Sequence, residues 1–138
     1  MLQNSFYTLE SPAETTASGL RATIRLNPDH AVFAGHFPGQ PVVPGVCMLQ
    51  IIKELLEDAT GQALQLQRAG NVKFLTVLTP QAHEVVDVQL TFDSSAEGIL
   101  VAEGTISSGP DRFIRLQQAH YVPRPDFPSP ASGALRPA

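Results

Sequence analysis

Along residues 20–26 the apolar side chains Leu20, Ala22, Ile24 and Leu26 alternate with Arg21, Thr23 and Arg25. A period of two places one set on each face of an extended chain, so this segment predicts a half-buried strand. The period changes over residues 45–60, where Val46, Leu49, Ile52, Leu56 and Ala59 recur at helical spacing and Gln50, Lys53, Glu54 and Glu57 form a polar stripe. This predicts an amphipathic helix. Pro44 stands at its start and Gly61 just past its end. Both suit those places, because the first turn has no use for the N–H that proline lacks and glycine accepts the left-handed closing conformation. Period two returns where Val86, Val88, Leu90 and Phe92 alternate with Asp87, Gln89 and Thr91. Residues 64–69, 72–78, 99–107 and 112–122 predict partner strands, with turns at 94–98 and 108–111.

The predicted order is strand, loop, one long helix and an antiparallel meander, an α+β arrangement with the helix covering one face of a sheet. Residues 27–44 carry Pro28, Gly35, Pro38, Gly39, Pro41 and Pro44 and predict an ordered loop of restricted backbone. Residues 1–122 read as a single domain without internal repeat. Residues 123–138 are rich in proline, which supplies no backbone donor to a sheet, and read as a flexible tail.

Composition narrows the function classes. The chain has 138 residues, 43% hydrophobic and 16% charged, which suits one compact domain. Its net charge of −4, without runs of like charge, lacks the footprint of a nucleic-acid binder. The longest apolar stretch, residues 42–52, is broken by Pro44, Gly45 and Gln50. It falls far short of the ~20 residues of a bilayer span. The opening residues show no basic head before an apolar core, and the single Cys47 has no internal disulfide partner, so a cytoplasmic location is expected.

The candidate chemistry lies in the loop that enters the helix. His36 carries an imidazole, whose ordinary pKa near ~6.5 suits proton exchange at neutral pH. The Gly45 N–H, among the first of the helix, lacks an intrahelical acceptor and sits at the positive end of the helix dipole. A base beside such a donor fits proton abstraction next to a thioester carbonyl, where negative charge develops on the oxygen. Phe33 and Phe37 flank the loop, as lining for an acyl chain or as ordinary core. Cys47 falls in the first helical turn, as a small core residue or a nucleophile. His30, His83 and His120 show no ligand spacing, so neither a metal nor any other cofactor is expected.

Residues 33–46, including His36-Phe37-Pro38-Gly39 and Pro44-Gly45-Val46, closely resemble the active-site loop of hotdog-fold 3-hydroxyacyl-(acyl carrier protein) dehydratases. Residues 72–80 resemble the strand after the helix in that family, with Gln81 where glycine is usual. The resemblance implies a hotdog fold, one long helix wrapped by an antiparallel sheet. It makes His36 the base that takes the α-proton and Gly45 the donor to the thioester oxygen, with Val46 beside it in the substrate-binding loop. The family's acid stands fourteen positions after the histidine, and here that residue is Gln50, an amide that is no acid at neutral pH. Glu54 stands one turn on, where relatives commonly have glutamine. The two look exchanged, and positions i and i+4 share a helix face. Glu54 would then act as the acid, through a water that Gln50 orients or by a tilt of the helix, or it would simply solvate a polar face.

The implied activity is dehydration of 3-hydroxyacyl thioesters, held on acyl carrier protein or coenzyme A, to trans-2-enoyl thioesters in fatty-acid or related lipid or polyene biosynthesis. The family builds each site from two subunits, so a homodimer is expected at least. Arg21, Arg25, Lys53, Arg68 and Lys73 are candidates for docking an acidic carrier. Two other readings stand beside it: an acyl-binding hotdog subunit that needs an acid-bearing partner, and an acyl thioesterase.

Overall fold

The computed structural model describes residues 2–33, 41–95 and 97–124. Its elements run β1 (Tyr7–Leu9), β2 (Glu14–Thr15), β3 (Gly19–Leu26), a 3-10 turn (Ala31–Phe33), α1 (Gly45–Thr60), β4 (Leu64–Phe74), β5 (Val85–Ser94), β6 (Leu100–Ser108) and β7 (Asp111–Pro123). The alternation in residues 20–26 is realised in β3, with Leu20, Ala22, Ile24 and Leu26 buried and Arg21 and Arg25 outward. In β5 the same period buries Val86, Val88 and Leu90. All strands pair antiparallel in one sheet of order β1-β3-β5-β6-β7-β4, with β2 also on β3. The chain therefore leaves β3 near one end of the sheet, passes through α1, and re-enters at the opposite end as β4.

α1 begins and ends where the sequence predicts. Pro44 is extended, and Gly61 adopts φ 70° while its N–H donates to Glu57 O at 2.8 Å. The amphipathic expectation, however, requires correction. Cys47, Met48, Ile51, Ile52, Leu55 and Leu56 are buried, and so are Glu54 and Glu57 of the supposed solvent-facing stripe. The sheet covers one side of the helix and the N-terminal segment covers another, with Phe6 and Tyr7 joining the same core. Val46, expected on the apolar face, is instead 72% exposed. Each fully buried Leu or Ile of this helix contributes about 2 kcal/mol through area removed from water.

Two further expectations change. Residues 64–69 and 72–78 are not two strands: β4 runs unbroken through Gly70 and Asn71 and ends at Phe74. Asn71 Nδ2 donates to Gln117 Oε1 of β7 at 3.1 Å, so the break expected between the two segments is paired across strands instead. A register shift between Leu66 and Arg68 marks a bulge in β4. After β4 the chain returns to the helix entrance, where Val43 N donates to Leu78 O at 2.8 Å. β1 and β2 were not foreseen from the pattern. β7 continues through Pro123, and the predicted tail from residue 125 onward lies outside the described residues.

Candidate active site

The tip of α1 carries the first half of the chemistry. Pro44 O accepts from Cys47 N at 3.0 Å and Met48 N at 3.2 Å, while the Gly45 and Val46 N–H groups have no acceptor among the described residues. Such unpaired donors are what a helix start offers to a developing negative charge. Gly45 lies beneath the Phe74 ring, and a Cβ there would stand 2.7 Å from Phe74 Cε1 and Cζ. Around it opens a mainly apolar cavity of about 300 Å³ lined by Val42, Met48, Phe74, Thr76 and Val77. Apolar walls strengthen a hydrogen bond to an anionic oxygen, because water does not screen it. Val46, adjoining Gly45, faces outward.

His36 and Phe37 lie outside the described residues. Phe33 is in the core, stacked on Phe6 with ring centroids 5.4 Å apart. Cys47 is also a core side chain, and burial pushes its thiol pKa up, away from nucleophile chemistry.

Gln50 and Glu54 do meet on one face of α1, with Gln50 Nε2 donating to Glu54 Oε2 at 2.7 Å. The same oxygen accepts from Leu2 N at 2.7 Å, and Oε1 accepts from Gln3 N at 2.8 Å and from Tyr7 Oη at 3.2 Å. Two donors therefore occupy each oxygen of a side chain only 1% exposed. This corrects the solvated-face reading of Glu54. It also leaves no accepting position for a catalytic water. Burial and, after it, Glu54 hold the Tyr7 phenol well above the usual tyrosine range. Glu57 does similar structural work at the other end of the helix, where its Oε2 accepts from Leu64 N at 2.8 Å.

Beside Gln50 a groove of about 520 Å³ separates α1 from β4 and β7, lined by Val46, Leu49, Gln50, Lys53, Leu66 and Tyr121 among others. Tyr121 is one residue that the sequence pattern did not single out. Tyr7 is another. Of the basic candidates, Arg25 is engaged by Glu10 and by Glu84, the latter at 2.8 Å. Lys53 lines the groove, and Arg68 and Lys73 are exposed on β4 at the end of the sheet. Arg21 faces outward on β3, opposite Glu14. His30 Nδ1 accepts from Val32 N at 3.0 Å, and His83 Nε2 lies 3.5 Å from Asp111. No cluster of three or more His, Cys, Asp or Glu suited to a metal occurs among the described residues.

Residues 12–108 match the family model described as ApeI-like, ApeI dehydratase. The chain belongs to the ApeI-like dehydratase family. The matched span runs from before β2 to the end of β6 and includes α1 and its entrance loop. Among solved structures, the dehydratase heterocomplex ApeI:P from Xenorhabdus doucetiae aligns with a TM-score of 0.59 at 18% identity, covering 80% of this chain and 94% of that one. An uncharacterised protein from Erwinia carotovora subsp. atroseptica aligns with a TM-score of 0.55 at 22% identity, covering 82% and 91%. These likenesses are of fold. The ApeI-like chain has the hotdog fold, an α+β domain with a single helix against an antiparallel sheet. No helix among its described residues is long and apolar enough to cross a membrane.

Proposed function

We propose that this ApeI-like chain removes water from 3-hydroxyacyl thioesters, carried on acyl carrier protein or coenzyme A, to give trans-2-enoyl thioesters for fatty-acid or related lipid or polyene synthesis. The observation that carries this reading is the unaccepted Gly45 amide, which opens on an apolar cavity at the end of the loop bearing His36. His36 takes the proton from C2. The Gly45 N–H donates to the thioester carbonyl oxygen, where charge accumulates as that proton leaves. The double bond forms as the C3–O bond breaks, and the hydroxyl departs as water once protonated. Phe37 and Val46 border the entering acyl chain in this reading.

The second reading, a subunit that depends on a partner, is favoured by Gln50 at the position of the family's acid and by the full occupation of Glu54. Around the tip of α1 the side chains of Val46, Phe74, Leu75 and Val77 are exposed, a concentration of apolar surface that suits a subunit contact. β4 ends the sheet and offers its outer edge for pairing. A homodimer joined at these features is the simplest arrangement. A heteromer with an acid-bearing hotdog subunit is the alternative, an assembly of the kind named for the Xenorhabdus doucetiae dehydratase.

The test mixes pure protein with a 3-hydroxyacyl carrier thioester and follows the conjugated enoyl absorbance, with His36→Ala as control. Turnover by the chain alone that His36→Ala abolishes supports the autonomous enzyme. Turnover only after addition of a second hotdog subunit selects the partner-dependent reading. Release of free thiol without enoyl product would make the chain a thioesterase and overturn both.

A further inference from the structure

The face of the sheet turned away from α1 carries cations without counter-ions. Arg115 of β7 stands between buried Ile114 and Leu116 and so belongs to that outer face, with Lys73 of β4 directly opposite it. Like charges in directly opposed positions repel, at a cost to the strand pair. Among the described residues no side chain pairs with Lys73, Arg112 or Arg115. Arg115 Nε is enclosed without an acceptor, which adds the penalty of an unmet donor. The terminal nitrogens of the same guanidinium are not enclosed and are equally unpaired. Arg115 lines a hollow of about 300 Å³ together with Gln89, Glu103, Thr105, Arg112 and Gln117, among others. A bulge shapes the wall: Gln117 and Gln118 of β7 span the place of Glu103 alone in β6, and Gln118 adopts φ 51°.

We propose that this hollow binds a phosphate group, either free inorganic phosphate or the end of a small phosphomonoester. The site lies across the sheet from α1 and stands apart from the dehydratase reading. Arg115 donates through its planar fork to two phosphate oxygens, and Arg112 adds a second positive charge. The Thr105 hydroxyl, opposite Arg115 in register, supplies a further donor. Gln117 supplies another through Nε2, since its Oε1 is taken by Asn71. The bound anion relieves both costs, because it accepts from the guanidinium and offsets the repulsion between Arg115 and Lys73. Glu103 sets the kind of anion. An ionised carboxylate only accepts, so it favours a ligand oxygen that carries a proton and repels a bare one. Phosphate brings such a proton, and sulfate does not. Two arginines against one carboxylate leave the hollow positive.

The experiment titrates the full chain with inorganic phosphate, glycerol 3-phosphate and sulfate at constant ionic strength near pH ~6, where the phosphates carry a proton. Calorimetry gives the affinities, and amide NMR locates the contact. Wild type should bind phosphate at one saturable site per chain, about tenfold more tightly than sulfate, with shifts centred on Thr105 and Arg115. Whichever of inorganic phosphate and glycerol 3-phosphate binds more tightly identifies the source of the group. Arg115→Gln should lose saturable binding yet melt no lower than wild type, because the charge removed faces Lys73 and has no partner. Arg112→Gln, at an exposed position, should fold normally and weaken phosphate about tenfold, and it decides the matter if Arg115→Gln does not fold. Glu103→Gln should bring phosphate and sulfate to equal affinity. No saturable binding, equal affinity for sulfate in wild type, or unchanged affinity in Arg112→Gln would each overturn the assignment. So would a preference for phosphate that survives in Glu103→Gln, or shifts centred on Gly45, where the helix tip is the competing anion site.

Discussion

Glu54 places two oxygens under four donors, from Leu2, Gln3, Tyr7 and Gln50. Glu54→Gln keeps the shape but replaces one accepting oxygen with an NH₂ group, which then meets the backbone N–H of Leu2 or of Gln3 head-on. We expect a loss of about 3 kcal/mol in urea unfolding, from opposed donors left unpaired in the interior. Tyr7→Phe removes only the longest of the four contacts and should lose about 1 kcal/mol. A smaller effect for Glu54→Gln than for Tyr7→Phe would contradict this arrangement. The stability loss bears on function as well, since any fall in Glu54→Gln activity must first be corrected for unfolded protein. At Gly45 the balance is reversed. A methyl group there overlaps Phe74, but that ring is 54% exposed and can swing aside, so Gly45→Ala should cost under about 1 kcal/mol. Displacing the ring opens the Gly45 amide to water, and enoyl formation should drop about tenfold through weaker oxyanion stabilisation. Equal activity in Gly45→Ala would show that the Phe74 cover is dispensable.

The ends of α1 were legible because Pro44 and Gly61 act through local backbone chemistry, which the sequence carries in full. Gly61 holds φ 70°, so Gly61→Ala should destabilise by about 1 kcal/mol in denaturant unfolding. An unchanged unfolding midpoint would mean that the helix end relaxes into another cap. The faces of the same helix were not legible. Spacing separates polar from apolar positions but does not say what covers each side, and all the donors to Glu54 except Gln50 come from a segment some fifty residues away in sequence. The unbroken β4 has a similar cause: Gly70-Asn71 resembles a turn locally, and only pairing with β7 shows that the strand continues. Of the site, the Gly45 amide could be read from helix-start chemistry. The groove beside Gln50 could not, because it depends on the register of β7 against β4 and on the path of α1 over both.

Across the whole molecule both tyrosines are enclosed, Tyr7 against Glu54 and Tyr121 in the groove, and the chain contains no others. Their phenols are shifted the same way. Burial, then Glu54, raises Tyr7 well above its ordinary value, and burial raises Tyr121 to about 12. Below pH ~10 the folded and unfolded chains both hold these protons, so the tyrosines add no pH dependence there. Above it the unfolded chain releases two protons that the fold retains. Stability must then fall, by up to about 1.4 kcal/mol per pH unit for each tyrosine, until the folded groups also ionise. For Tyr121 that window closes near 12, and for Tyr7 it extends further. The expected behaviour in an alkaline titration is a late, single step in which phenolate absorbance appears together with loss of the circular dichroism of the sheet. Tyr121→Phe should remove about half of the slope of stability against pH between 10 and 12, and Tyr7→Phe the other half. Phenolate absorbance developing near pH 10 in a protein that keeps its dichroism would mean that at least one of these side chains reaches water. If the silent group proved to be Tyr7 and the early one Tyr121, water would reach from the groove beside Gln50 to the phenol, against its burial.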